Sequence, residues 1–274
     1  METWATRRGF LSGACSLVAG SLTACGGPAG RESGSPDRVA ASPSAEQAAA
    51  SRGRLLFRPE DMGDRPGGKT GILQLEGVTA AQPGAAFVPS AADGKPMRLV
   101  LLLHGAGGQA RRALHLLLPV AERERLLLVA PKSLASTWDV IAGGFGPDVR
   151  NIDHLLGEVA AAYPVSSYTV SGFSDGASYA LTLGVGNGDI FDSVMAFSPG
   201  FVAARVAHGR PRFFVSHGTD DQVLPLHRTS RRLVPQLKRE GYDVTYEEFE
   251  GRHEVPPGIV DRAVTWLGRR SVRA

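Results

Sequence analysis

The pentapeptide Gly172-Phe173-Ser174-Asp175-Gly176 sets a serine between two glycines, each two residues away. This G-x-S-x-G spacing suits a very sharp strand-to-helix turn. The serine is held there with a strained backbone, and the flanking glycines lack the Cβ atoms that would collide. A serine hydroxyl is a poor nucleophile until a base takes its proton. In sites of this kind the acid and then the histidine follow the serine along the chain. Of the seven histidines, His227 and His253 lie downstream of plausible acids. His227 opens a helical pattern and reads as a surface residue. His253 lies in Gly251-Arg252-His253-Glu254, directly after the strand-like Val244–Phe249, and is the expected base. The acid is expected in the loop His217-Gly218-Thr219-Asp220-Asp221-Gln222-Val223-Leu224-Pro225. Asp221 fits the spacing H-G-x-x-D-x-x-x-P and is preferred, with the adjacent Asp220 as the alternative. The carboxylate would fix the histidine tautomer and stabilise the imidazolium.

An acyl-transfer site also needs two N–H donors for the developing oxyanion. One is expected from Asp175, immediately after the nucleophile. The other is expected from His104-Gly105-Ala106-Gly107-Gly108, with Ala106 preferred and Gly107 as the fallback. This glycine-rich loop has neither G-x-G-x-x-G nor a Walker lysine, which argues against phosphate binding. His104 precedes the nucleophile by two strand–helix units and reads as a brace for the loop. No H-x-x-x-H pair or cysteine cluster points to a metal site. Trp138, Phe145 and Phe173 are candidates to line an acyl pocket or to fill the core, with Trp138 the preferred pocket residue.

These residues must be positioned by the elements between them. From about residue 84, strand and helix patterns alternate, which predicts an α/β fold with a mostly parallel sheet. The run Arg98–Leu103 is apolar throughout, as in a strand buried on both faces. Further strands are expected at Ala85–Val88, Leu126–Ala130, Tyr168–Ser171, Ser193–Phe197, Arg212–Ser216 and Val244–Phe249. Helices are expected over 109–124, 148–162, from 175, 226–240 and 257–268, with 132–147 a long loop. Arg54–Phe57 and Ile72–Leu75 are candidate short edge strands.

The loop Leu103–Gly108, the Gly-Phe-Ser-Asp-Gly turn, the His217–Pro225 loop and the late His253 resemble the phospholipase/carboxylesterase branch of the α/β-hydrolases. Polyhydroxybutyrate-depolymerase-like and feruloyl-esterase-like proteins are near relatives of that branch. The resemblance covers residues 84–268. It implies an α/β-hydrolase fold, a central sheet flanked by helices, and little or no cap domain. It also implies hydrolysis of short or medium acyl esters without a cofactor, with thioesters and polyesters as further substrates of the class. Many members carry Gln after the nucleophile, where this chain has Asp175. A different class of function, a surface lipoprotein that keeps the fold as a binding module, would be favoured by an incomplete set of catalytic residues.

The chain has 274 residues, 43% of them hydrophobic and 21% charged, enough to build a sizeable core. A formal charge of +3 and the absence of a long basic run give no case for nucleic-acid binding. Both cysteines, Cys15 and Cys25, precede residue 26, so the body has no thiolate nucleophile or disulfide. The start has a basic segment and then an apolar stretch of about 14 residues, shorter than the roughly 20 that span a bilayer. This pattern reads as an export signal over residues 1–24. Arg7-Arg8-Gly9-Phe10-Leu11 resembles a twin-arginine signal, with an ordinary secretory signal as the alternative. Leu22-Thr23-Ala24-Cys25 resembles a bacterial lipobox, which implies a lipid on Cys25 and a membrane anchor, with a plain cleavage site and a periplasmic or secreted protein as the alternative. Residues 25–52, rich in Gly, Pro, Ser and Ala, read as a flexible tether, and 53–274 as the folded domain. The expected partners are a small-molecule or lipid ester and, through Cys25, the outer side of a membrane.

Overall fold

A computed structural model describes residues 43–59, 67–90 and 95–269. The anticipated export signal, including Arg7, Arg8 and Cys25, lies outside the described residues. In chain order the strands are β1 (Gly71–Leu75), β2 (Gly84–Val88), β3 (Met97–Leu103), β4 (Leu126–Pro131), β5 (Val165–Phe173), β6 (Ser193–Phe197), β7 (Arg212–Gly218) and β8 (Val244–Phe249). The helices are α1 (Ala45–Ala50), α2 (Ala110–Leu114), α3 (Leu118–Ala121), α4 (Asp139–Ala142), α5 (Pro147–Ala162), α6 (Asp175–Gly186), α7 (Ser230–Arg239) and α8 (Pro257–Gly268).

The strands form one sheet in the order β1-β2-β4-β3-β5-β6-β7-β8. β3 to β8 run parallel, and β1 and β2 form an antiparallel edge. The apolar runs are explained by burial on both faces. Along β3, Leu99, Leu101 and Leu103 enter the core beneath α5 and α6, while Val100 and Leu102 enter the one beneath α2, α3 and α8. The anticipated parallel sheet flanked by helices is thus present. The connection from β6 to β7, residues 198–211, carries no helix and hence no helical cap at that point.

Several local expectations change. The helix anticipated over 109–124 is two short helices, α2 and α3, because Pro119 starts a new turn and cannot continue the first. That anticipated over 226–240 opens as a 3-10 turn, Leu226–Arg228, before α7. Arg54–Phe57 is not a strand. Its backbone donors are taken by side chains instead, Leu55 N–H by Asn187 Oδ1 at 2.9 Å and Phe57 N–H by Asp153 Oδ1 at 2.7 Å. Part of the anticipated tether is ordered: Ser44 and Gln47 cap α1 reciprocally, and Ala50 is buried. The long loop 132–147 contains the single turn α4.

Candidate active site

β5, a central strand, carries Ser174 at its carboxyl end, and α6 starts immediately behind it. Ser174 has φ 60° and ψ −121°, a left-handed backbone that a serine adopts only under constraint. Its N–H donates to Phe197 O at the end of β6, at 3.0 Å. The two flanking glycines are sterically required. A Cβ on Gly172 would lie 2.3 Å from Gly176 O, and one on Gly176 would lie 2.0 Å from Leu103 O. The strand, the turn and the neighbouring β3 loop therefore approach more closely than any side chain allows.

The structure brings Ser174, His253 and Asp221 together across the ends of β5, β7 and β8. Ser174 Oγ donates to His253 Nε2 at 2.8 Å, and His253 Nδ1–H donates to Asp221 Oδ2 at 2.6 Å. The ring of His253 lies against Phe173, with centroids 4.7 Å apart. The choice between the two aspartates is clear in space. Asp221 turns inward, its side chain fully buried, and Asp220 is exposed. Asp221 Oδ1 also accepts from the Val223 and Leu224 N–H groups at 2.9 and 2.8 Å. Burial pushes the Asp221 carboxyl up. The hydrogen bonds from His253 and Leu224 and the two neighbouring imidazoles outweigh it and hold the pKa below the ordinary value.

His217 completes this arrangement and was not singled out from the sequence. It is fully buried four residues before Asp221, and its Nε2–H points at Leu224 O (2.8 Å) and Asp221 Oδ2 (3.1 Å). Its Nδ1 accepts from the Ser230 hydroxyl at 2.7 Å. Burial pushes the His217 pKa down, which keeps the ring neutral and in one tautomer. The signal was the His at the head of the H-G-x-x-D spacing, whose neighbour at i+4 can fold back onto it.

The loop His104–Gly108, where an oxyanion donor is expected, lies against the turn. A Cβ on Gly105 would stand 3.4 Å from Ser174 Cβ. Gly107 N–H is committed to Ser136 O at 2.6 Å, which removes the fallback donor. The N–H groups of Ala106 and Asp175 have no protein acceptor among the described residues. His104 braces the loop from below. Its Nδ1–H donates to Gly105 O at 2.7 Å and its Nε2 accepts from Ser133 N–H at 3.1 Å. Burial lowers its pKa, consistent with a neutral ring.

Trp138 corrects the pocket expectation. It is fully buried, stacked between His104 (4.6 Å) and Tyr179 (5.1 Å), and its Nε1–H donates to His104 O at 2.8 Å. It is a core residue beneath the loop His104–Gly108. Below it, Asp148 accepts from Leu134 N–H, Asp139 N–H and Gln82 Nε2 at 2.8 to 2.9 Å. Asp139 in turn accepts from Gly146 N–H, Asp148 N–H and the Tyr179 hydroxyl at 2.8 to 3.0 Å. This network fastens the loop 132–148. Thr137 Oγ1–H then ties that loop to the serine turn through Asp175 Oδ2 at 2.6 Å.

Among the described residues no group of His, Cys, Asp and Glu is arranged to hold a metal ion. No described helix is long and apolar enough to cross a membrane. No family model matches the chain, and no curated protein does. Solved structures do match. The esterase PE8 aligns with a TM-score of 0.55 at 23% identity, over 67% of this chain and 96% of its own. An S-formylglutathione hydrolase from Staphylococcus aureus aligns at 0.58 with 15% identity, over 73% and 99%. The Bacillus cereus carboxylesterase aligns at 0.55 with 20% identity, over 69% and 94%. The chain therefore has the α/β-hydrolase fold.

Proposed function

We propose that the protein is a serine hydrolase that cleaves carboxyl esters through an acyl-enzyme. The observation that carries this reading is the unbroken Ser174–His253–Asp221 relay, at 2.8 and 2.6 Å, on a strained serine turn. His253 takes the Ser174 proton as Oγ attacks the ester carbonyl, and Asp221 stabilises the resulting imidazolium. The N–H groups of Ala106 and Asp175 receive the oxyanion. The protonated His253 then hands its proton to the departing alcohol, and water releases the acyl group by the same steps. The names of the aligned structures, two esterases and a hydrolase of a formyl thioester, agree with this chemistry.

The test is a series of p-nitrophenyl esters from acetate to laurate, with Ser174→Ala as the reference. Wild type should turn over the shorter esters and react with a fluorophosphonate, and Ser174→Ala should do neither. Equal rates in the two proteins would remove the mechanism.

The lipobox-like Leu22–Cys25 carries a second proposal, that Cys25 is lipidated and holds the enzyme on the outer side of a membrane. Mass spectrometry of wild type and Cys25→Ser from a membrane fraction decides it. The same unlipidated mass in both would sink the anchor.

A further inference from the structure

We propose that a cleft beside the oxyanion loop receives the alcohol part of the ester, and that Arg112 at its rim selects alcohols bearing an anionic group. This rests on the ester-hydrolase reading above.

The cleft has a volume of about 420 Å³, and its walls include Ala106, Ala113, Leu116, Phe173 and Val255. It adjoins the nucleophile: a Cβ on Gly105, which lines the cleft, would stand 3.4 Å from Ser174 Cβ. Two of its walls belong to the His253 side. Phe173 lies against the His253 ring, and Val255 follows His253 by two residues. In the acylation step the bond between the carbonyl carbon and the ester oxygen breaks. That oxygen leaves with the proton from His253 Nε2. The leaving alcohol must therefore depart next to His253, which points it into this cleft.

The walls are apolar except at the rim. There Gln109, the N-cap of α2, and Arg112 within that helix both line the cleft. Arg112 is exposed, and its guanidinium has no hydrogen bond or ion pair among the described residues. An unpaired guanidinium above an apolar cleft suits a substrate that is carbon-rich near the ester and ends in a carboxylate or phosphate. The planar fork of Arg can hold either anion through two parallel hydrogen bonds. Because the rim is open to water, the selection is modest and sensitive to salt.

The experiment compares kcat/KM for para-butyryloxybenzoate and para-butyryloxybenzamide, which share the acyl group and differ in the charge of the alcohol part. Wild type should prefer the benzoate by about fivefold at low salt, less at high salt. Arg112→Gln should bring the ratio to about one, and Arg112→Lys should keep part of it. The neighbouring Arg111→Gln, which changes the net charge equally but faces a different cleft, should leave the ratio intact. A ratio near one in wild type, or one that Arg112→Gln leaves unmoved, would overturn the proposal. So would a preference that follows charge on the acyl side instead, with p-nitrophenyl hydrogen glutarate favoured over p-nitrophenyl pentanoate and the preference lost in Arg112→Gln. Failure to hydrolyse any of these esters, p-nitrophenyl butyrate included, would overturn the ester-hydrolase reading itself.

Discussion

Asp221 and Asp148 are both buried aspartates, and each accepts two backbone N–H groups, yet their surroundings push them in opposite directions. Asp221 faces two imidazoles, His253 and His217, and is held below the ordinary carboxylate pKa despite its burial. Asp148 faces another carboxylate, Asp139. Burial, aided by that neighbour, pushes it up to about 6 against the backbone donors. Backbone hydrogen bonds are common to both sites, so they do not decide the difference. Burial raises both; the imidazole partners help to reverse it at Asp221, whereas a carboxylate neighbour adds to it at Asp148. One aspartate sits where it can answer a developing positive charge; the other staples a loop.

That division of labour makes distinct predictions for the two sites. The largest effect belongs to the proposed triad. Asp221→Asn should lower kcat by about four orders of magnitude, through the wrong histidine tautomer, while urea denaturation shows the fold retained. A loss of only a few-fold would separate Asp221 from the chemistry.

Next is Asp148→Ala, which leaves Leu134 N–H, Asp139 N–H and Gln82 Nε2 without their acceptor. It should cost about 3 kcal/mol of stability by urea denaturation. At a temperature where the variant is folded, the residual activity should exceed that of Asp221→Asn by orders of magnitude.

The two sites also respond oppositely to acid. Asp148 has a folded pKa of about 6, above its ordinary 3.8, so between those values the folded protein holds a proton that the unfolded chain has released. Its contribution to stability therefore grows as pH falls through that range. The lowered Asp221 contributes stability that is lost as pH falls through its depressed pKa. The stability difference between wild type and Asp148→Asn should accordingly shift toward wild type from about pH 7 to about pH 5. A difference that stays flat would show that Asp148 does not take up a proton there.

A smaller effect is expected at His217, whose ring faces Asp221, the proposed triad acid. His217→Gln should reduce kcat by about tenfold with KM little changed. An unchanged kcat would mean that the Val223 and Leu224 N–H groups alone hold Asp221. The smallest is Trp138→Phe, which removes one hydrogen bond to His104 O and should cost about 1 kcal/mol of stability.

Much of the architecture was legible in the chain because its strands are unusually simple. Arg98–Leu103 and Leu126–Ala130 are apolar at nearly every position, and only a strand covered on both faces needs that. The misreadings fell where a local pattern has more than one solution. Arg54–Phe57 is as apolar as an edge strand, but its N–H groups are satisfied by Asn187 and Asp153, far along the chain. The helical period from 109 to 124 continues through Pro119, where the backbone cannot.

At the site the same line divides what each level supplies. The sequence by itself determined the serine turn, because Gly172 and Gly176 answer a steric demand within five residues. It also narrowed the candidate base to a histidine and the candidate acid to two adjacent aspartates. Only the tertiary structure decided that Asp221 faces His253 and Asp220 faces water, since neighbouring loop residues point apart and no spacing rule sees which side is buried. It alone showed that His217 braces Asp221, that Trp138 lies beneath the loop His104–Gly108 rather than in a pocket, and that Gly107 N–H is already engaged. Each of these depends on where a distant segment packs, and so on burial and hydrogen-bond partners that form only when the chain has folded.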